Sequence, residues 1–89
     1  MFDWDDENAN HIAEHGVTPE EAEEAVTDPR RVRAPAYRTA TEQRLAYLGA
    51  STAGRVLYVV LTRRAGRLRV VTARDADRQE KRCYRERGK

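Results

Sequence analysis

Apolar positions follow two different spacings along this 89-residue chain, and the switch between them divides it. Up to about residue 28 they recur at helical intervals. From about residue 31 to 73 they alternate or form short runs, which is the spacing of strands. A first helix is predicted over 5–14, with Asp3 or Asp5 as its cap and acids in its first turn to suit the dipole. Gly16 provides the left-handed stop. Thr18-Pro19-Glu20-Glu21 then reads as a new start, with Thr18 at the N-cap, Pro19 in the first helical position and Glu21 completing a capping box. Ala22, Ala25 and Val26 form a narrow apolar face, and Glu20, Glu21, Glu23 and Glu24 are expected to face water or a partner. Asp28-Pro29 ends the helix.

Strands are predicted at 31–37, 42–48, 56–61 and 67–73. Pro35 makes the first an edge strand. The tight turn is placed at 51–54 and a short hairpin loop at Ala65-Gly66. The run Val56-Leu57-Tyr58-Val59-Val60-Leu61 is almost wholly apolar, so it is expected in the middle of the sheet with both faces covered. Residues 75–87 read as a final charged helix. The expected fold is α+β: two N-terminal helices, a three- to four-stranded antiparallel sheet and a C-terminal helix, in a single domain over 1–89.

Composition narrows the setting. The single cysteine, Cys83, allows no intrachain disulfide and no Cys/His zinc set. The acidic start has no basic-then-apolar leader pattern, and no apolar run is long enough to span a bilayer. A cytoplasmic protein without membrane contact is expected. The net charge of +2 conceals a strong segregation: residues 1–28 carry ten acids and no Lys or Arg, whereas all 17 basic residues, 15 of them Arg, lie in 29–89 with five acids. Arg forks match phosphate oxygens, and a basic surface draws RNA or an acidic protein.

Several stretches resemble the BrnT family in order along nearly the whole chain. They are Phe2-Asp3-Trp4-Asp5 followed by Asn10; His15-Gly16-Val17; Glu42-x-Arg44 through Gly49; Thr62-x-Arg64; Arg69-Val70-Val71-Thr72-Ala73-Arg74; and Glu80 with Tyr84. Two positions depart from the family pattern: Glu14 stands where a basic residue often precedes the His-Gly pair, and Thr72 replaces a Ser. The resemblance implies a RelE-like fold, RNA cleavage that stops translation, and silencing by a BrnA-like antitoxin, through which alone the toxin would contact DNA.

Metal-free RNA cleavage needs a base for the 2′-hydroxyl, an acid for the leaving 5′-oxygen and cations for the phosphate charge. No metal or other cofactor is expected. The catalytic candidates are Arg64, Arg74, Glu80, Tyr84 and His15, and the RNA-binding candidates are Arg44, Arg69 and Arg78. Simple alternation puts Arg69 and Val71 on one sheet face and Leu68, Val70 and Thr72 on the other, so Arg69 with Arg44 would form a cationic floor. Arg74 falls at the strand-to-helix junction. Glu80 and Tyr84, four apart, share a helix face, where Glu80 would serve as a base or orient an Arg and Tyr84 would donate a proton or stack on a base. His15 ends the first helix, as an acid or as a cap of the Gly16 turn. The alternative is a toxin-like module that binds RNA or antitoxin without turnover.

Overall fold

The computed structural model describes residues 1–35 and 44–88. The expected strand residues 36, 37, 42 and 43, and with them Glu42 of the quoted motif, lie outside the described residues. Within them the order is α1 (Asp6–Ala13), α2 (Pro19–Val26), β1 (Val32–Ala34), β2 (Arg44–Ala50), β3 (Val56–Arg64), β4 (Arg67–Asp75) and α3 (Arg78–Arg87). The strands pair antiparallel in chain order, β1-β2-β3-β4, so the α+β expectation of helices at both ends of an antiparallel sheet holds.

Local chemistry sets the helix starts. Asp5 caps α1 by accepting from the Asn8 N–H, and the Asn8 side chain returns a bond to the Asp5 N–H. Thr18 and Glu21 make the predicted reciprocal box on α2. α3 begins at Arg78, three residues later than expected, because Asp77 is its cap and Asp75 belongs to β4. Ala65 (φ 52°) and Gly66 (φ 77°) are both left-handed, as a two-residue hairpin turn between β3 and β4 requires.

Paired residues share a sheet face, so the register sorts the side chains. Leu57, Val59, Leu61, Val70 and Ala73 face α1 and α2, packing with Ile12, Val17, Ala22, Ala25 and Val26 as the main core. α2 approaches β2 at Gly49, where a Cβ would fall 1.9 Å from the Ala25 carbonyl oxygen. The opposite face carries Leu48 and Tyr58, which pack with Val32, Ala76, Cys83 and Tyr84 under α3. β3 is interior to the sheet, with Val59 and Val60 buried on opposite faces, as its apolar run predicts.

One irregularity overturns the expected face assignment. The pairing runs Leu61↔Val70 and then Val60↔Thr72, so Val71 has no opposite partner. This β-bulge shifts the alternation by one. Val70 and Ala73 both reach the helix side, while Arg69, Thr72 and Arg74 fall together on the other face. Thr72 therefore lies with Arg69, not opposite it.

The acids of α2 are also more committed than expected. Glu21 pairs with Arg55, Glu23 accepts from Trp4 Nε1 at 2.6 Å, and Glu24 accepts from the Thr52 N–H and hydroxyl. Among the described residues, Glu20 alone of the four is exposed and has no such bond. No helix among the described residues is long and apolar enough to cross a membrane.

Candidate functional site

The sheet face that carries α3 has two concavities. The first, about 540 Å³, lies between β1, the β3–β4 pair and α3. Tyr58, Arg74, Glu80, Cys83 and Arg87 are among its walls, and Arg33 borders it from β1 with its guanidinium on the other sheet face, 5.9 Å from the centre of the Tyr47 ring. Arg74 leaves β4 opposite Tyr58 and its guanidinium sits 4.3 Å from the centre of that ring. Glu80, the third residue of α3, holds the same guanidinium in a fork: Nη1 to Oε1 at 2.8 Å and Nη2 to Oε2 at 3.0 Å. Glu80 Oε1 also accepts from the Asp77 N–H, closing the capping box of α3. The pair is mutually charged. The Arg74 fork holds the Glu80 carboxyl below the ordinary carboxylate range, and Glu80 raises the Arg74 guanidinium further above neutrality. Tyr58 is fixed in turn by donating its hydroxyl to the Pro35 carbonyl at 2.8 Å.

Tyr84 stands behind this wall and points away from it. Its hydroxyl donates to Asp28 Oδ2 at 2.5 Å, and the same carboxylate accepts from the Ala50 N–H at 2.9 Å while its other oxygen accepts from the Arg30 N–H. Burial pushes Asp28 up, but these three bonds outweigh it and its pKa lies below the usual value. Burial first, and the bond to Asp28 second, push the Tyr84 phenol up. This contact ties α3 to the end of α2 and to β2.

The second concavity, about 760 Å³, opens at the other end of the same face, beside α1. Arg44, Arg64 and Arg69 come to it from β2, β3 and β4, and Glu7, His11 and Glu14 from α1. Thr62 lies between Arg44 and Arg69, paired with each across the strands. The structure thus brings Arg44 and Arg69 together as expected, but Arg69 is 8% exposed and already surrounded by carboxylates. Its Nη2 donates to Asp5 and Glu7 at 3.1 and 3.3 Å, and Nη1 lies 3.0 Å from Asp5 and 3.6 Å from Asp3. The bond with Asp5 raises the Arg69 guanidinium pKa and lowers that of Asp5.

The sequence-predicted residues therefore divide. Arg74 and Glu80 line the first concavity; Arg44, Arg64 and Arg69 line the second. Arg78 is exposed at the start of α3, and His15 is exposed at the end of α1 with its ring edge-on to His11 at 5.7 Å; neither lines either hollow. Sequence reasoning missed Tyr58, which the pairing of β3 with β4 sets opposite Arg74; the docking of α3 adds Arg87 to the same hollow, while the Arg33 guanidinium lies on the other sheet face. It also missed Arg55, which bonds the Gly16 carbonyl, Glu21 and Asp75 at once. Among the described residues, no three His, Cys, Asp or Glu side chains are grouped to hold a metal ion.

A model of the family described as ribonuclease toxin, BrnT, of type II toxin-antitoxin system matches residues 4–80. No curated protein sequence matches the chain. The family match spans both helices of the N-terminal part, the whole sheet and the Arg74–Glu80 pair, and on it the chain belongs to the BrnT family of ribonuclease toxins of type II toxin–antitoxin systems.

Proposed function

We propose that the protein is a metal-independent endoribonuclease whose scissile phosphate sits in the concavity under α3. One observation carries this reading: the Arg74 guanidinium is fixed on two sides, by Tyr58 below and Glu80 beside it, in a hollow that Arg87 also lines. A guanidinium held in place before the reaction stabilises developing phosphate charge without reorganising. The 2′-oxygen attacks the adjacent phosphorus as the bond to the 5′-oxygen breaks, leaving a 2′,3′-cyclic phosphate and a 5′-hydroxyl. One proton moves from the 2′-oxygen to the 5′-oxygen. Glu80 is the carboxylate placed to relay it. Its depressed pKa makes it a weak base but a strong acid, so the proton passes on to the leaving oxygen.

In this reading Tyr84 acts through α3, by anchoring the wall that holds Glu80. Arg44 and Arg64 contact RNA beyond the scissile bond, and Arg78 adds positive charge at the entrance to α3. His15 lies outside both hollows and takes no part in the reaction. The substrate is RNA, and the partner is a BrnA-like antitoxin that carries any DNA contact.

The test is cleavage of a defined RNA by antitoxin-free protein in EDTA. Fragments ending in 2′,3′-cyclic phosphate, lost with Arg74→Ala, are expected. Cleavage that requires an added divalent ion, or that Arg74→Ala leaves unchanged, overturns the reading. Salt-dependent RNA binding without new ends would favour a binding module, since both members of the Arg74–Glu80 pair are already satisfied by each other.

A further inference from the structure

The described residues cover the helix side of the sheet only in part. α1 and α2 have eight residues each, about 12 Å of helix. β3 and β4 have nine each, about 30 Å of strand. The helices occupy the part of the face that includes Gly49, Leu57 and Ala73. At the other end a groove of about 450 Å³ remains, floored by Phe2, Leu45, Tyr47 and Leu68, none of them fully buried. Met1, on its edge, is 88% exposed.

The rim of this groove is positive. Arg31 and Arg63 line it, both exposed. The Arg31 guanidinium lies 5.5 Å from the centre of the Tyr47 ring and donates to the Asp28 carbonyl. Elsewhere in the molecule an arginine that braces the fold has a carboxylate: Arg55 has Glu21 and Asp75, Arg69 has Asp5, and Arg74 has Glu80. Among the described residues neither Arg31 nor Arg63 has one.

We infer that this groove seats an acidic amphipathic segment of the cognate antitoxin, with apolar side chains on the strand floor and carboxylates toward Arg31 and Arg63. The inference rests on membership of a toxin–antitoxin family, which supplies the partner, and not on where RNA is cut. Charge complementarity selects the occupant. A second copy docked here about a two-fold axis would set one positive rim against another. The groove lies on the sheet face opposite α3, so docking here is separable from contact with the Arg74 concavity.

The experiment measures binding of purified antitoxin to the double variant Arg31→Glu/Arg63→Glu. A dissociation constant raised at least about tenfold is expected, with RNA cleavage by the free toxin unchanged. Arg82→Glu/Arg85→Glu, on the exposed side of α3, is the control and is expected within about threefold of wild type, the range of a screened surface charge. Equal loss in both double variants, or loss in the α3 variant alone, overturns the inference. Hydrogen exchange on the wild-type complex gives a second readout that needs no variant. Protection of residues 45–47 and 61–68 is expected, and protection confined to α3 and β1 overturns it. Dimerisation of the free chain through this groove would also overturn it. Because cleavage is assayed separately, loss of nuclease activity and loss of this docking site are distinguishable.

Discussion

Glu80 and Arg74 meet side-on through two parallel hydrogen bonds of 2.8 and 3.0 Å, so the plane of the guanidinium is set by the carboxylate. A Lys at 74 would keep the charge but lose both the fork and the stacking on Tyr58. Arg74→Lys is therefore expected to cleave RNA about 100-fold more slowly, close to Arg74→Ala. Both variants should unfold within about 1 kcal/mol of wild type, because the Arg74 side chain is 41% exposed. Single-turnover cleavage beside a urea titration checks this; an Arg74→Lys variant as fast as wild type contradicts it.

Acid should destabilise the fold for a definable reason. Glu21, Asp28, Asp75 and Glu80 all have pKa values below their ordinary ones, with Arg55 as the chief cause for Asp75 and Arg74 for Glu80. Each folded carboxyl binds fewer protons than its unfolded counterpart, so its contribution is present above the unfolded value and disappears as pH falls through the folded one. Unfolded carboxyls titrate near 4, so the melting temperature is expected to be level above about pH 5 and to fall below it. Asp28→Asn should be less stable at pH 7 and show a shallower acid slope. Calorimetry from pH 3 to 7 decides; a melting temperature that rises on acidification contradicts the argument.

Arg69 is a buried cation facing three carboxylates of the N-terminal segment. Arg69→Met would fill the space but leave Asp3, Asp5 and Glu7 close together with no counter-charge. A loss of about 2 kcal/mol is expected, the low side for a buried pair because the carboxylates keep contact with water. Cleavage by the folded variant should fall less than in Arg74→Ala. The reverse ranking would make Arg69 a phosphate ligand.

Gly49→Ala probes the seat of α2. Its new Cβ would fall 1.9 Å from one backbone oxygen and 2.7 Å from the attached carbon, so the helix must lift or the strand must bend. Overpacking of this kind costs about 3 kcal/mol. Denaturant titration should show a lower midpoint with an unchanged slope. A midpoint within experimental error of wild type would mean that α2 is not packed on β2 at this point.

Much of the fold was legible because local chemistry and tertiary need agree. Thr18-Pro19-Glu21 specifies a helix start and becomes one. β2 runs two residues further than expected, to Ala50, because Gly49 serves the packing of α2 and not the turn. The bulge at Val71 was invisible: alternation counts residues, and an extra one reverses faces with no mark in the sequence. Candidate site residues were legible as types. Arg74 and Glu80 were named, and their partnership is local. Tyr58 reaches Arg74 through the pairing of β3 with β4, and only the docking of α3 adds Arg87 to the same hollow.

The segment before α1 lies along β4, with Phe2 bridged to Leu68 and hydrogen bonds linking Asp3 and Met1 to the same residue. Through Asp5 it also closes a contact with Arg69, 64 positions away. This segment therefore finds its seat only after β4 has been made, since its anchor lies some sixty residues further along the chain. Closing so long a loop is slow compared with forming a hairpin. A nascent chain cannot seat this segment until the β3–β4 hairpin has left the exit tunnel, so the carboxylates that neutralise Arg69 reach it only after that hairpin has formed.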